Sequence, residues 1–176
     1  MNPRISKGYW IWGQFDTHTT DIINSLYQEI NNKLNGPKFD IHLTISGPFN
    51  YNEEIQKDTF QYISSKFNEI NLQLKGINKT DEFFRSLFID VGENENLNSL
   101  KNYIDATFNI NAIEYFPHIS LFYGLEDVSV KNEIIKKFKT PNSAIIDKIS
   151  IARVDEEIKS WEVVRSYSLI KPIQSP

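Results

Sequence analysis

Apolar residues along this chain switch between two spacings, one typical of strands and one typical of helices. The aromatic and β-branched run from Tyr9 to Phe15 predicts a first strand. Thr17, Thr19, Thr20 and Asp21 can cap a helix, whose apolar stripe then recurs every four residues from Ile22 to Leu34. The same reasoning predicts, in order, a strand at 39–47, a helix from about Glu53 to Ile70 and a strand at 72–77.

The second half of the chain repeats this order of elements. It predicts a strand at 86–91, a helix at 97–108, a strand at 115–123, a shorter helix at 130–138 and a strand at 144–151. An internal duplication explains the repeated order most economically, because recurrence at a fixed period marks repeated structural units. We therefore predict one domain over residues 1–176 with a repeat of about 9–79 and 86–154, and a last strand at 161–169 that extends one sheet.

The second strand of each unit carries a histidine and a hydroxyl residue two positions apart. His42 and Thr44 lie in the first unit, and His118 and Ser120 lie in the second. Because side chains alternate between the faces of a strand, each pair must point the same way. Two such strands side by side would direct two imidazoles and two hydroxyls into one pocket.

A single His-x-Thr sequence occurs often by chance, and a strand histidine is more often a half-buried structural residue than a catalyst. Two copies at equivalent places in a repeated unit, both followed by glycine, are a stronger signal. His18 also fits His-x-Thr, but a helix follows it and no strand orients its side chain, so we expect it on the surface. Several aromatic residues could stack on a nucleobase or simply pack in the core: Trp10, Trp12, Phe83, Phe84 and Tyr123.

The amino-acid composition argues against several classes of partner and cofactor. With 19 Lys and Arg against 23 Asp and Glu, the net charge is −4, so the basic surface that tracks a long nucleic acid is missing. The chain has no cysteine, and neither histidine motif contains a carboxylate, so we expect no metal or other cofactor. With no signal peptide and no apolar run long enough to span a membrane, we expect a soluble, cytoplasmic and monomeric protein without a membrane partner.

Paired His-x-Thr/Ser motifs on duplicated β-α-β units resemble the two-histidine phosphoesterase superfamily, and within it the plant cyclic phosphodiesterases. The segments that carry the similarity span nearly the whole chain: 9–12, 36–39, 82–84, 115–123 and 160–163. The resemblance implies an α+β fold of two pseudo-symmetric lobes, each an antiparallel sheet with packed helices, around a central cleft. It also implies that His42, Thr44, His118 and Ser120 are catalytic, with Trp12, Phe84 and Tyr123 as weaker candidates for the substrate-binding wall of the cleft. Alternation along the strand would place Tyr123 opposite His118 unless the strand ends there.

These residues suit metal-independent hydrolysis of small cyclic phosphates, such as nucleoside 2′,3′-cyclic phosphates and ADP-ribose 1″,2″-cyclic phosphate. One histidine can act as base and the other as acid, while Thr44 and Ser120 donate hydrogen bonds to the phosphoryl oxygens. We favour His118 as the base and His42 as the acid, although the pseudo-symmetry leaves the reverse open. Two alternatives also stay open: hydrolysis of 3′,5′-linked cyclic oligonucleotide immune signals, as phage enzymes of this superfamily perform, and a non-catalytic nucleotide-binding module.

Overall fold

One antiparallel sheet and four α-helices make up the part of the chain that the structure describes. The computed structural model describes residues 7–111 and 114–172. The strands are β1 Gly8–Phe15, β2 Leu43–Phe49, β3 Ile70–Lys79, β4 Leu87–Val91, β5 His118–Phe122, β6 Ser143–Val154 and β7 Glu162–Ser168. The helices are α1 Thr17–Leu34, α2 Glu53–Ser64, α3 Glu95–Phe108 and α4 Val128–Lys137, with single 3₁₀ turns at Phe83–Arg85 and Ile158–Ser160. The predicted α+β class is confirmed.

The seven strands follow the order β1-β2-β5-β4-β3-β6-β7, and β1 also pairs with β6. These pairings are all antiparallel, and they close six of the strands into a ring from which β7 extends at β6. The ring is joined unevenly. The β2–β5 junction has one partnered residue pair, Leu43 with Ile119, whereas β1 and β6 are partnered along the whole of β1. The junction between β2 and β5 is therefore the least extensively paired one in the ring.

The third strand of each predicted unit lies beside strands of the other unit. β3 pairs with β4 and β6 pairs with β1, so each group of strands combines two strands from one half of the chain with one from the other. The two groups are further linked through β3–β6 and β2–β5. As a result the expected pair of sheets is one continuous sheet, and neither half of the chain completes its own group of strands. The internal repeat stays a prediction.

The helices cover one face of the sheet, and the opposite face lines a cleft. Ile11, Leu43 and Ile119 are fully buried in the main core together with apolar residues of all four helices. Their neighbours along the same strands point the other way, as strand alternation requires. A smaller apolar cluster lies on this second face and consists of Trp12, Ala152 and Val154 with Trp10, Trp161 and Val163 packed against it.

Three local details differ from the sequence prediction. Helix α2 ends at Ser64, and Ile70, predicted as the end of that helix, begins β3. Helix α1 is capped by Asp16, whose carboxylate accepts a hydrogen bond from the Thr19 amide at 2.9 Å, and not by one of the residues at 17–21. The chain turns into the helix directly after Phe15, so Asp16 is the residue whose side chain can reach the free amides of the first turn. The motif strands are also shorter than predicted, since β2 begins one residue after His42 and β5 begins at His118 itself. None of the helices among the described residues is long and apolar enough to span a membrane.

Candidate active site

The two histidine motifs lie side by side on neighbouring strands. β2 and β5 are antiparallel and Leu43 is the partner of Ile119. Continued by one residue in each direction, this register puts His42 opposite Ser120 and Thr44 opposite His118. All four side chains share the face opposite the buried Leu43 and Ile119. Diagonal neighbours in such a pair have Cα atoms about 7–8 Å apart, so the two imidazoles can reach a single phosphate between them.

All four motif residues line one cleft. Its volume is about 580 Å³. Besides the four motif residues, its walls are formed by aromatic, charged and small polar side chains, which include Trp10, Trp12, Ser46, Glu82, Phe84, Arg85, Lys101, Tyr115, Phe116, Tyr123 and Trp161. Trp12, Phe84 and Tyr123 are among these lining residues, and their role in substrate binding stays a prediction. His18 lies elsewhere, exposed in the first turn of α1.

Each histidine ring is oriented by the same backbone contact. His42 Nδ1 is 2.7 Å from the carbonyl oxygen of Asp40, and His118 Nδ1 is 2.9 Å from that of Phe116. A carbonyl oxygen only accepts hydrogen bonds, so Nδ1 is the nitrogen that carries the proton in each neutral ring. Nε2 is then left to accept a proton from a ligand, or to donate one when the ring is charged.

Burial lowers the pKa of both histidines. The pKa of His42 falls from 6.5 to about 4, because desolvation outweighs the Asp40 carbonyl, and the neighbouring His118 lowers it further. Desolvation also lowers the pKa of His118, against the Phe116 carbonyl, and the guanidinium of Arg85 adds to the decrease. Without a ligand, both imidazoles are therefore mainly in the neutral form at neutral pH.

Trp12 covers the His42 ring. The two rings are stacked with centroids 3.7 Å apart and planes at 10°. This contact follows from register, because Trp12 is partnered with Thr44 across β1–β2 and is therefore the diagonal neighbour of His42. Trp12 is buried at 2% exposure and His42 at 6%. The tryptophan therefore fixes the His42 ring and offers little free surface to a nucleobase.

Tyr123 reaches the cleft because β5 ends one residue before it, at Phe122. It is buried, stacks on Phe39 with ring centroids 4.0 Å apart, and lies beside Ser120. Burial raises the pKa of Tyr123, so the phenol remains a neutral hydrogen-bond donor. The Ser120 hydroxyl is also 3.5 Å from the carbonyl oxygen of Phe84, at the outer limit of a hydrogen bond. The Ser120 hydroxyl can therefore turn its hydrogen toward a ligand at low cost.

Comparison with known proteins identifies the family. The family model described as cyclic phosphodiesterase-like protein matches residues 9–173, which is nearly the whole chain. The chain belongs to the cyclic phosphodiesterase-like protein family. This match confirms the predicted membership of the two-histidine phosphoesterase superfamily, whose members are phosphoesterases. A search of curated proteins found no significant match.

Solved structures share the cyclic phosphodiesterase-like fold despite low sequence identity. Escherichia coli LigT complexed with 3′-AMP superposes with a TM-score of 0.63 at 10% identity, covering 93% of this chain and 98% of LigT. LigT complexed with phosphate has a TM-score of 0.61 at 10% identity and the same coverage. The protein TT0787 of Thermus thermophilus has a TM-score of 0.61 at 13% identity, covering 92% of this chain and 97% of that protein. At such identities these likenesses establish the fold.

The cleft also contains residues that the sequence analysis did not assign. Arg85 follows the aromatic pair of the 3₁₀ turn Phe83–Arg85, and Trp161 precedes the last strand, outside the predicted repeat. Trp161 is anchored by its indole Nε1, which donates to the carbonyl oxygen of Asp155 at 2.9 Å, and it meets Tyr123 edge-on. Nothing in a single sequence brings residues 85 and 161 to one cleft. The segments 82–84 and 160–163 that carry the family resemblance were the available signal.

Residues that could hold a metal ion do not converge in the described part of the chain. Within residues 7–111 and 114–172 no group of three or more histidines, cysteines, aspartates or glutamates is close enough to share an ion. The two histidines alone make a poor ligand set. The arrangement instead offers acid–base chemistry from two imidazoles and hydrogen bonds from two hydroxyls.

Proposed function

We propose that this chain hydrolyses small cyclic phosphates, namely nucleoside 2′,3′-cyclic phosphates and ADP-ribose 1″,2″-cyclic phosphate, to the monophosphate without a metal ion. The observation that carries the proposal is the matched pair of imidazoles. Each has Nδ1 engaged by the carbonyl two residues earlier, and each ring lines the cleft, so Nε2 is the nitrogen left for a ligand. A module that only binds nucleotides needs charge or hydrogen bonds, but it has no need for two rings held in the same tautomer.

The reaction is an in-line attack of water on phosphorus. His118 Nε2 takes a proton from the water as its oxygen bonds to phosphorus. The bond from phosphorus to one ribose oxygen breaks, and protonated His42 gives its Nε2 proton to that oxygen. Thr44 and Ser120 donate hydrogen bonds to the non-bridging oxygens as negative charge builds there. One water is consumed and one phosphomonoester is released.

Burial supports this choice of base and acid. His118 is half-buried and reachable by water, as a base that activates water requires, whereas His42 lies beneath Trp12 at 6% exposure. The anion of a bound cyclic phosphate raises the pKa of a neighbouring imidazole. Binding of substrate therefore moves His42 toward the protonated form that the acid step needs.

A panel of substrates tests the proposal. The purified chain is incubated with 2′,3′-cyclic nucleotides, ADP-ribose 1″,2″-cyclic phosphate, 3′,5′-cyclic nucleotides and 3′,5′-linked cyclic oligonucleotides, each with and without EDTA. We expect turnover of the first two classes that EDTA does not change. Turnover restricted to cyclic oligonucleotides would favour the immune-signal alternative, binding without turnover would favour a non-catalytic module, and activity restored only by a divalent ion would overturn metal independence.

The product isomer tests which ester breaks. With the phosphate held by Thr44 and Ser120, only the ribose oxygen beside His42 can leave as a protonated group. The resemblance to the plant enzymes implies cleavage of the 3′ ester, which leaves a nucleoside 2′-phosphate. Phosphorus NMR of a 2′,3′-cyclic AMP digest should show this isomer as the main product. Mainly 3′-phosphate would contradict the assigned ester, and an even mixture would mean that neither histidine is the committed acid.

A further inference from the structure

The four residues proposed to act on the phosphate carry no permanent positive charge. Thr44 and Ser120 are neutral, and both imidazoles have lowered pKa values in the free protein. Attack on a phosphodiester adds negative charge to the phosphoryl oxygens, and a fixed cation stabilises that charge more than neutral donors do. Among the described residues that line the cleft, the lysine and arginine side chains are those of Lys101 and Arg85.

Lys101 already forms an ion pair with Asp105. Its side chain is 8% exposed and forms an ion pair with the carboxylate of Asp105, which also accepts a hydrogen bond from the Ser46 hydroxyl. The ammonium nitrogen also lies 5.0 Å from the centre of the Tyr115 ring. Its charge is therefore balanced by a largely buried carboxylate, 14% exposed, and releasing it would leave Asp105 unpaired at a cost.

Arg85, in contrast to Lys101, has a solvent-exposed carboxylate as its ion-pair partner. Its Nη2 is 2.6 Å from Glu82 Oε1, but the Glu82 side chain is 65% exposed, so this ion pair faces solvent and contributes little. Arg85 Nε is buried, and within the described part of the chain it has no hydrogen-bond partner. The guanidinium carbon lies 4.8 Å from the centre of the Phe116 ring, and Phe116 supplies the carbonyl that orients His118. One buried donor of Arg85 is thus unsatisfied next to the second motif.

The backbone that carries Arg85 is braced from two sides. The Thr80 hydroxyl donates to the Arg85 carbonyl oxygen at 2.7 Å, and the fully buried Lys131 donates its ammonium to the Thr80 carbonyl oxygen at 2.7 Å. On the other side the Gly124 amide, just after β5, donates to the Phe83 carbonyl oxygen at 3.0 Å. The guanidinium is therefore presented by a fixed turn that is attached to the strand carrying His118 and Ser120.

We propose that Arg85 is the phosphate-binding cation of this cleft. Its planar guanidinium offers paired N–H donors that match two phosphate oxygens, and the phosphate replaces the solvent-facing Glu82 carboxylate as the partner of Nη2. The inference rests on the proposed function, because the anion is taken to be the substrate phosphate. It adds a binding residue to that site and restricts its ligands to anions with paired oxygens.

The same guanidinium acts on His118 through its electric field. The charged groups that act on His118 are Arg85, Glu82 and Asp90, and His118 in turn acts on His42. Of the first three, Arg85 lowers the pKa of His118 while the two carboxylates raise it. Removing the cation therefore raises the pKa of His118. In the pH profile of kcat/KM, the limb that reports the titration of His118 must then move to higher pH.

The first experiment measures binding of inorganic phosphate by calorimetry, which needs no turnover. We expect Arg85→Gln to weaken binding at least about tenfold and Arg85→Lys to weaken it less, since lysine keeps the charge but loses the fork. Arg153→Gln is the matched control, because Arg153 has a similar exposed partner in Glu162, at 2.8 Å, and does not line the cleft.

Wild-type phosphate affinity in folded Arg85→Gln would overturn the inference. If thermal unfolding shows that Arg85→Gln is not folded, Arg85→Lys decides, and unchanged affinity in that variant also overturns it.

The second experiment separates this inference from the proposed function. In the Arg85→Gln variant we expect kcat/KM for 2′,3′-cyclic AMP to fall by about 10² to 10³, with one limb of its pH profile moved to higher pH. A merely structural role would lower activity without moving the limb, and that result would overturn the inference. If the wild type hydrolyses no cyclic phosphate but binds inorganic phosphate through Arg85, the proposed function fails and the inference stands. If turnover and phosphate affinity are both unchanged in Arg85→Gln, the inference alone fails.

Discussion

Two contacts hold the His42 ring in one orientation, and each limits its chemistry. Trp12 covers one face at 3.7 Å and excludes water from it, while the Asp40 carbonyl holds Nδ1. His118 has the equivalent carbonyl contact, but Phe88 meets its ring at 72° and the ring is half-buried. The two imidazoles therefore differ in access to water although their motifs match. This difference is the physical basis for assigning His118 as base and His42 as acid.

Replacing either motif histidine with glutamine should lower kcat by at least about 10²-fold, the usual contribution of a positioned acid or base. Glutamine keeps a polar side chain of similar length but cannot transfer a proton at neutral pH, so the loss reports proton transfer more than packing. Steady-state kinetics on 2′,3′-cyclic AMP provides the measurement. His18→Gln serves as the matched control, because His18 is exposed on α1, and its rate should equal that of the wild type. A His42→Gln or His118→Gln enzyme with more than a tenth of the parental kcat would remove that histidine from the mechanism.

At the scale of single elements, β2 combines a histidine motif with a backbone conformation that needs glycine. Gly47 has φ +135°, and a Cβ built on it would lie 2.9 Å from atoms of the Trp10 ring. The glycine thus lets β2 approach Trp10 of β1 closely on the cleft side. Gly76 in β3 has a similar φ of +110° but no atom within 4 Å of its built Cβ. The two positions differ mainly in the steric contact.

Gly47→Ala should therefore destabilise the protein more than Gly76→Ala. Backbone strain alone costs about 1–3 kcal/mol at each site, and only Gly47→Ala adds a clash with Trp10. Urea unfolding of the two variants and the wild type gives the free energies of unfolding. Equal losses would mean that the Trp10 ring moves aside without cost and does not constrain β2.

At the scale of the whole molecule, the closed sheet buries His42 and half-buries His118. Their pKa values in the free protein both lie below 6.5. Only the free enzyme's pKa values shape kcat/KM, whereas those of the substrate complex shape kcat. The bound phosphate anion favours protonated imidazole, so it must raise the pKa values in the complex.

We expect a bell-shaped kcat/KM profile with its maximum below pH 6.5 and a kcat profile displaced to higher pH. The two limbs belong to the pair of histidines, since each affects the other. Kinetics on 2′,3′-cyclic AMP across pH 4–9 would measure both profiles. A kcat/KM maximum above pH 7, or profiles that coincide, would contradict the depressed pKa values.

The burial of His42 should also make the free energy of unfolding depend on pH. The folded pKa of His42 is about 4, below the unfolded value of 6.5. Above pH 6.5 both states are neutral at this residue and it has no effect. As pH falls from 6.5 toward 4, the unfolded chain binds the proton first, so stability is lost, by about 3 kcal/mol in total for this residue.

His42→Gln should remove this loss because glutamine does not titrate. Urea unfolding at pH 7, 5.5 and 4.5 would show the free energy of unfolding falling less steeply in the variant than in the wild type. Other groups also titrate in this range, so the comparison uses the difference between the two proteins. Parallel curves for His42→Gln and the wild type would mean that His42 is protonated at no cost in the folded state.

Local periodicity determined much of this protein from sequence alone. Strand alternation required His42 and Thr44 to share a face, and His118 and Ser120 likewise, because the side-chain period of a strand is two whatever the fold. Helical spacing and turn residues located α1 to α4 and the seven strands to within a few residues. The matched motifs and the segments around them were sufficient to predict the family, which the match over residues 9–173 confirmed. The single domain, its internal repeat and the monomeric state remain predictions.

Tertiary structure alone decided how these parts meet. Ladder partners depend on the packing of the whole chain, so the exchange of β3 and β6 between the two groups of strands could not be read from either half. The end of β5 at Phe122 decided that Tyr123 faces the cleft, since alternation by itself predicts the other face. Arg85 and Trp161 join the histidines only through contacts between residues distant in sequence. Burial, which sets the pKa values of both histidines, is likewise a property of the closed sheet and not of the motifs.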